Sequence, residues 1–158
     1  MATFQRPTRS ASRLWCVGAA LGLAAGAAGL EADDPQKIAR RYTPADRERD
    51  RYVYVPFEVP AGTTALRVRY EYDRADGQNT IDLGIFEPGS LETGTSAMRG
   101  YSGGSKTEVS IGEHHATPGY QAGPLPAGRW DVMLGLYRVA EAGVDVTVTV
   151  QASASEAD

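Results

Sequence analysis

The chain has 158 residues and a formal charge of −4, with 42 % hydrophobic and 23 % charged residues, an ordinary globular composition that holds one domain and hardly two. An acidic balance without a basic cluster argues against nucleic-acid binding, which needs Lys and Arg to displace phosphate counterions. One Cys and two His exclude a disulfide scaffold and a Cys/His zinc site.

Residues 1–15 carry Arg6, Arg9 and Arg13 and no acid, and 17 uncharged residues follow from Leu14 to Leu30, mostly Ala and Gly. This basic, apolar, small-residue order predicts a secretory signal peptide over 1–32, with cleavage choices at Ala25 to Ala27 and Leu30 to Ala32. A membrane anchor is the competing reading, but the run sits at the lower edge of a span and Ala and Gly partition weakly into lipid. No consecutive Arg pair supports a twin-arginine signal. Cys16 leaves with the signal, so the mature chain, expected to be secreted or periplasmic, has no Cys and relies on a core. Residues 33–51 mix six bases with five acids and few apolar groups, which reads as a charged, solvated linker with a helical turn.

From Tyr52 the period changes to two. The segments 52–59, 65–72, 80–86, 106–111, 129–137 and 143–150 each alternate apolar and polar residues, as in Leu66, Val68, Tyr70 and Tyr72 against Arg67, Arg69 and Glu71. One face buried and one wet is antiparallel behaviour. Pro-Ala-Gly turns at 60–62 and 126–128 precede strands, and 73–79, 87–90 and 141–144 are further turns. The expectation is an all-β, antiparallel two-sheet sandwich over 52–150, of jelly-roll or Greek-key type with 6–8 strands, and a polar tail over 151–158. Gly84 and Gly135, inside strands, predict a bulge or close backbone contact. The stretches 91–105 and 112–128 are the least regular and are expected to be loops, where binding usually lives.

Candidate chemistry is sparse. Gly100 to Thr107, GYSGGSKT, only approaches a phosphate-binding loop, because Ser105 stands where glycine must precede the lysine and a strand follows instead of a helix. His114 and His115 are adjacent, so on extended chain they point apart and fit an exposed loop pair better than a metal site. Asp73, Asp76, Asn79 and Asp82 offer oxygens of the kind calcium takes, without the alternate-position spacing of an EF-hand, and the same residues form turns unaided. Tyr101, Tyr120, Trp130 and Tyr137 are candidates for a sugar-stacking platform; alternation puts Trp130 in the core, leaving Tyr101 and Tyr120 as the expected exposed pair. Gly100-Tyr101-Ser102-Gly103-Gly104 has the Gly-x-Ser-x-Gly spacing, but a strand pattern follows where a nucleophile elbow needs a helix, and nothing pairs two carboxylates for acid–base work, so no catalytic residue, cofactor or metal is assigned.

Several stretches carry a family likeness: Arg99-Gly100-Tyr101-Ser102-Gly103, Ala116-Thr117-Pro118-Gly119-Tyr120, Gly123-Pro124-Leu125 and Leu134-Gly135-Leu136-Tyr137. Over 52–150 the chain resembles the N-terminal β-sandwich of secreted bacterial metallohydrolases of the CehA/McbA type, in the polymerase-and-histidinol-phosphatase (PHP) superfamily. A weaker likeness is to the sandwich appended to secreted bacterial peptidases. In the metallohydrolases the ligands begin with a His-x-His motif in a domain after the sandwich. No His-x-His occurs here, and no catalytic role carries over to any position. The resemblance implies an exported, non-catalytic accessory or binding domain whose partner is a separate hydrolase domain or a carbohydrate. The alternatives are the N-terminal fragment of a metal-dependent phosphate or carbamate ester hydrolase, and a carbohydrate-binding module.

Overall fold

The computed structural model describes residues 34–154, so the signal peptide expected over 1–32 lies outside the described residues. Eight strands and one short helix follow in order: β1 Gln36–Tyr42, α1 Pro44–Arg49, β2 Tyr52–Val59, β3 Ala65–Tyr72, β4 Thr80–Phe86, β5 Met98–Gly103, β6 Glu108–Gly112, β7 Gly128–Arg138 and β8 Val144–Ser153. They form two four-stranded antiparallel sheets, the first ordered β1-β8-β3-β6 and the second β2-β7-β4-β5. The pairs β1·β8, β2·β7, β3·β6 and β4·β5 nest like one long hairpin. Folding that hairpin over on itself creates the further pairs β3·β8 and β4·β7 and gives jelly-roll connectivity.

The alternation read from the sequence sets the core between the layers. Val55, Phe57 and Val59 of β2, Ile81, Leu83 and Ile85 of β4, and Trp130, Val132, Leu134 and Leu136 of β7 face Leu66, Val68 and Tyr70 of β3, Val109 and Ile111 of β6, and the valines of β8. Each large side chain buried here contributes about 1.5–3 kcal/mol. Polar tips inside the core are bonded: Tyr70 Oη donates to the Ile81 carbonyl at 2.7 Å, and Trp130 Nε1 to the Pro126 carbonyl at 2.8 Å. No helix among the described residues is long and apolar enough to cross a membrane.

Three boundaries differ from expectation. The segment 33–51 is not all linker, because Gln36–Tyr42 pairs with β8 along seven residues and Tyr42 joins the core. As an edge strand it has one neighbour and buries only Tyr42 fully, and its Lys37, Arg40 and Arg41 charge the open edge against further pairing. The expected helical turn is α1, capped by a Thr43–Asp46 box in which the Thr43 backbone N–H donates to Asp46 Oδ2 at 2.9 Å. Met98–Gly103, expected as loop, is the edge strand β5; its register against β4 shifts twice, at Leu83/Gly84 and Ile85/Phe86, which breaks the alternation. Strand β8 runs to Ser153, past the expected boundary at 150.

Candidate functional site

The outer face of the second sheet divides into a covered half and an open half. At the covered half the segment after β4 folds back over the sheet. Leu91, Ala97 and Met98 pack on Phe86, Met133 and Tyr54, and Tyr54 Oη donates to the Leu91 carbonyl at 2.8 Å. Tyr54 and Phe86 meet edge to face, with centroids 5.8 Å apart. Asp131 lies under this cover and pairs with Arg129 at 3.2 Å.

The open half carries three exposed large apolar side chains: Tyr52 (42 % exposed), Tyr101 (39 %) and Tyr137 (45 %). The alternation explains two of them. Val53 and Val55 face inward on β2, which turns Tyr52 outward, and Leu134 and Leu136 do the same for Tyr137 on β7. Tyr52, Gly135 and Asp82 form one row across β2, β7 and β4. Tyr101 reaches back from β5 into that row and donates a 2.6 Å hydrogen bond to Asp82 Oδ2. Burial of its hydroxyl, followed by this bond to a carboxylate, raises the Tyr101 pKa well above the ordinary tyrosine value, so the phenol stays protonated. Asp82 itself lies flat over Gly135, where a Cβ would come within 2.8 Å of the Asp82 Cβ. The result is an open stretch of sheet on which Asp82 lies over Gly135 with tyrosines beside it.

Arginines gather around Tyr137. The guanidiniums of Arg51 and Arg138 each lie 5.7 Å from the Tyr137 ring centroid. Arg47 of α1 donates to the Tyr137 carbonyl at 3.0 Å. None of the three has a carboxylate partner among the described residues.

The sequence candidates scatter. Tyr101 is exposed as expected, but Tyr120 is only 8 % exposed and belongs to the core. Its ring packs on Gly100, where a Cβ would sit 2.4 Å from Tyr120 Cδ1, and its hydroxyl meets Ser102 Oγ at 2.9 Å and the Leu83 carbonyl at 3.2 Å. Trp130 is fully buried. His114 and His115 are exposed in the turn after β6, far from the tyrosine row in the fold's connectivity, and Gly112 N–H donates to the His115 carbonyl at 2.7 Å. Of the oxygens considered for calcium, Asp73 Oδ1 accepts from Ala75 N–H, Asn79 Oδ1 from Ala140 N–H, and Asp82 Oδ2 from the Tyr101 hydroxyl. Asp76 is exposed in the 3-10 turn at 75–77. Among the described residues, no three His, Cys, Asp or Glu side chains gather as a metal site requires.

Arg99 is the polar residue that the sequence reading passes over. It is 5 % exposed, and all five of its N–H groups are engaged. Nε and Nη2 donate to the Gln121 carbonyl, Nη2 also to Gly123, and Nη1 to Pro124 and to Glu87 Oε2 at 2.8 Å. Its guanidinium also stacks 5.4 Å over Trp130. The stretches at 99–103 and 116–125 thus pack on each other, with Arg99 as the clamp. No family model matches the chain, and no curated protein matches it.

A second hollow, of about 270 Å³, opens on the first sheet beside Arg69, Glu71, Tyr72 and Arg74. There Arg69 pairs with Glu71, and Arg74 stacks 5.5 Å over Tyr72.

Proposed function

We propose that this chain is an exported, non-catalytic β-sandwich that works by binding, an accessory domain of the kind that precedes the catalytic domain in CehA/McbA-type metallohydrolases. The observation that carries the reading is the convergence of Tyr52, Tyr101 and Tyr137 on the uncovered half of one sheet face. Isolated apolar side chains on a surface need no explanation, but three exposed aromatics in neighbouring positions beside a fixed carboxylate are arranged as a contact surface. The phenol–carboxylate pair at its centre holds Tyr101 in one orientation before any ligand arrives, which lowers the ordering cost of binding. The basic and apolar order of residues 1–32 supports export.

The test has two arms. The purified chain is assayed for hydrolysis of phosphate and carbamate esters with added divalent metals. No turnover is expected, and clear turnover overturns the reading in favour of a hydrolase. The N-terminus of the protein recovered from the extracytoplasmic fraction is sequenced. A start near residue 33 is expected, whereas an intact Met1 in the cytoplasm removes the export claim.

A further inference from the structure

Resting on the binding reading above, we infer that the open half of the second sheet is a site for an acidic saccharide, a chain of uronate-type sugars. The open half combines two chemistries, exposed rings with a carboxylate and stacked guanidiniums. A pyranose ring presents an apolar C–H face and a rim of hydroxyls. The C–H face matches the exposed rings of Tyr52, Tyr101 and Tyr137, and the hydroxyls match the Asp82 carboxylate, which accepts one hydrogen bond from Tyr101 and has acceptor capacity left. Beside them, Arg51 and Arg138 stand over Tyr137 with no carboxylate partner among the described residues. A guanidinium stacked on an aromatic ring still presents edge donors to a carboxylate, and Arg138 spends one of its five on the Gly77 carbonyl at 3.4 Å. Stacked ring and charged fork side by side are what a sugar bearing a carboxylate needs.

The dimensions agree. Tyr52 on β2 and Tyr101 on β5 lie on the two edge strands of the sheet, with β7 and β4 between them. Three strand spacings separate their backbones by about 14 Å, which spans more than one sugar residue. Between them, Asp82 leans into the space that a side chain at Gly135 would take. A neutral sugar would leave the two arginines unused, and a simple anion would leave the tyrosines unused.

The full exported chain is tested against polygalacturonate, its methyl-esterified form and alginate by affinity electrophoresis and calorimetry. The esterified polymer has the same rings without the charge. Retention by at least one polyuronate is expected, at least about tenfold weaker on the esterified polymer and weaker with added salt. Tyr101→Ala, Tyr137→Ala and the pair Arg51→Gln/Arg138→Gln should each weaken it by at least about tenfold. These residues are exposed, and an unchanged melting temperature confirms that each variant folds. Equal retention by charged and esterified polymer overturns the acidic part of the inference. Retention that survives all these variants places binding elsewhere and overturns the site. Absence of retention by every polymer overturns the saccharide assignment. So does self-association of the chain that Tyr101→Ala abolishes. These failures leave the non-catalytic reading standing, because that reading falls only on measured turnover.

Discussion

Gly135 and Asp82 face one another across β7 and β4, and the glycine leaves room for the carboxylate to lie against the sheet. A Cβ at 135 would meet the Asp82 Cβ at 2.8 Å and Oδ2 at 3.0 Å, and the nearest of these atoms is the stiff root of the side chain. Gly135→Ala is therefore expected to force a shift in β4 or to push Asp82 away from Tyr101. The cost should be about 1–3 kcal/mol in denaturant unfolding, comparable to overpacking a core. Unchanged stability together with an unchanged Tyr101 environment would refute the close contact.

The raised pKa of Tyr101 gives a second expectation. Burial is the larger cause and the bond to Asp82 the next, so Asp82→Asn should lower the Tyr101 pKa without returning it to the ordinary value. Tyrosinate absorbance during an alkaline titration reads this directly, and a Tyr101 titration identical in wild type and variant would count against the bond. Tyr42, Tyr54, Tyr70 and Tyr120 are raised as well, each first by burial. A raised acid of this type favours the folded state fully below its unfolded value, ~10, and loses that contribution as the pH climbs through the folded values. The melting temperature should accordingly be insensitive to these groups up to pH ~9 and fall above ~10.

Arg99 carries the third expectation. Its removal orphans the carbonyls of Gln121, Gly123 and Pro124 and leaves Glu87 without its partner. Arg99→Met should destabilise the domain by about 2–5 kcal/mol. Arg99→Lys should recover little of it, because an ammonium cannot reproduce five donors in a planar fork. Denaturant midpoints decide the matter, and a lysine variant as stable as wild type would show that charge, not geometry, is what the loop requires.

The two-sheet sandwich was legible because six strands keep strict alternation, and alternation is what one buried face imposes. The edge strands escaped for opposite reasons. β1 has one hydrogen-bonded neighbour and so tolerates charge at three of its seven positions, which looks like linker. β5 alternates badly because Gly100 and Gly103 hold positive φ and its register slips against β4. The candidate site was half legible. Tyr101 was picked out and Tyr137 considered, while Tyr52 could have been found from the inward set of Val53, Val55 and Phe57. Tyr120 misled because irregular sequence was equated with exposure. Its stretch is irregular since it wraps around Arg99 and caps the core, and local pattern carries no trace of a partner twenty residues away.

The nesting of β1 against β8 also decides how the domain bears load. Gln36 is paired with Val150, so the incoming and outgoing segments lie side by side at one pole. Tension applied at the two ends acts on a single rung at a time, from Gln36–Val150 towards Tyr42–Val144, and peels the ladder open like a zip instead of shearing seven rungs together. In an optical trap with handles at Gln36 and Ser153, the first yielding event should be the release of β1 at low force.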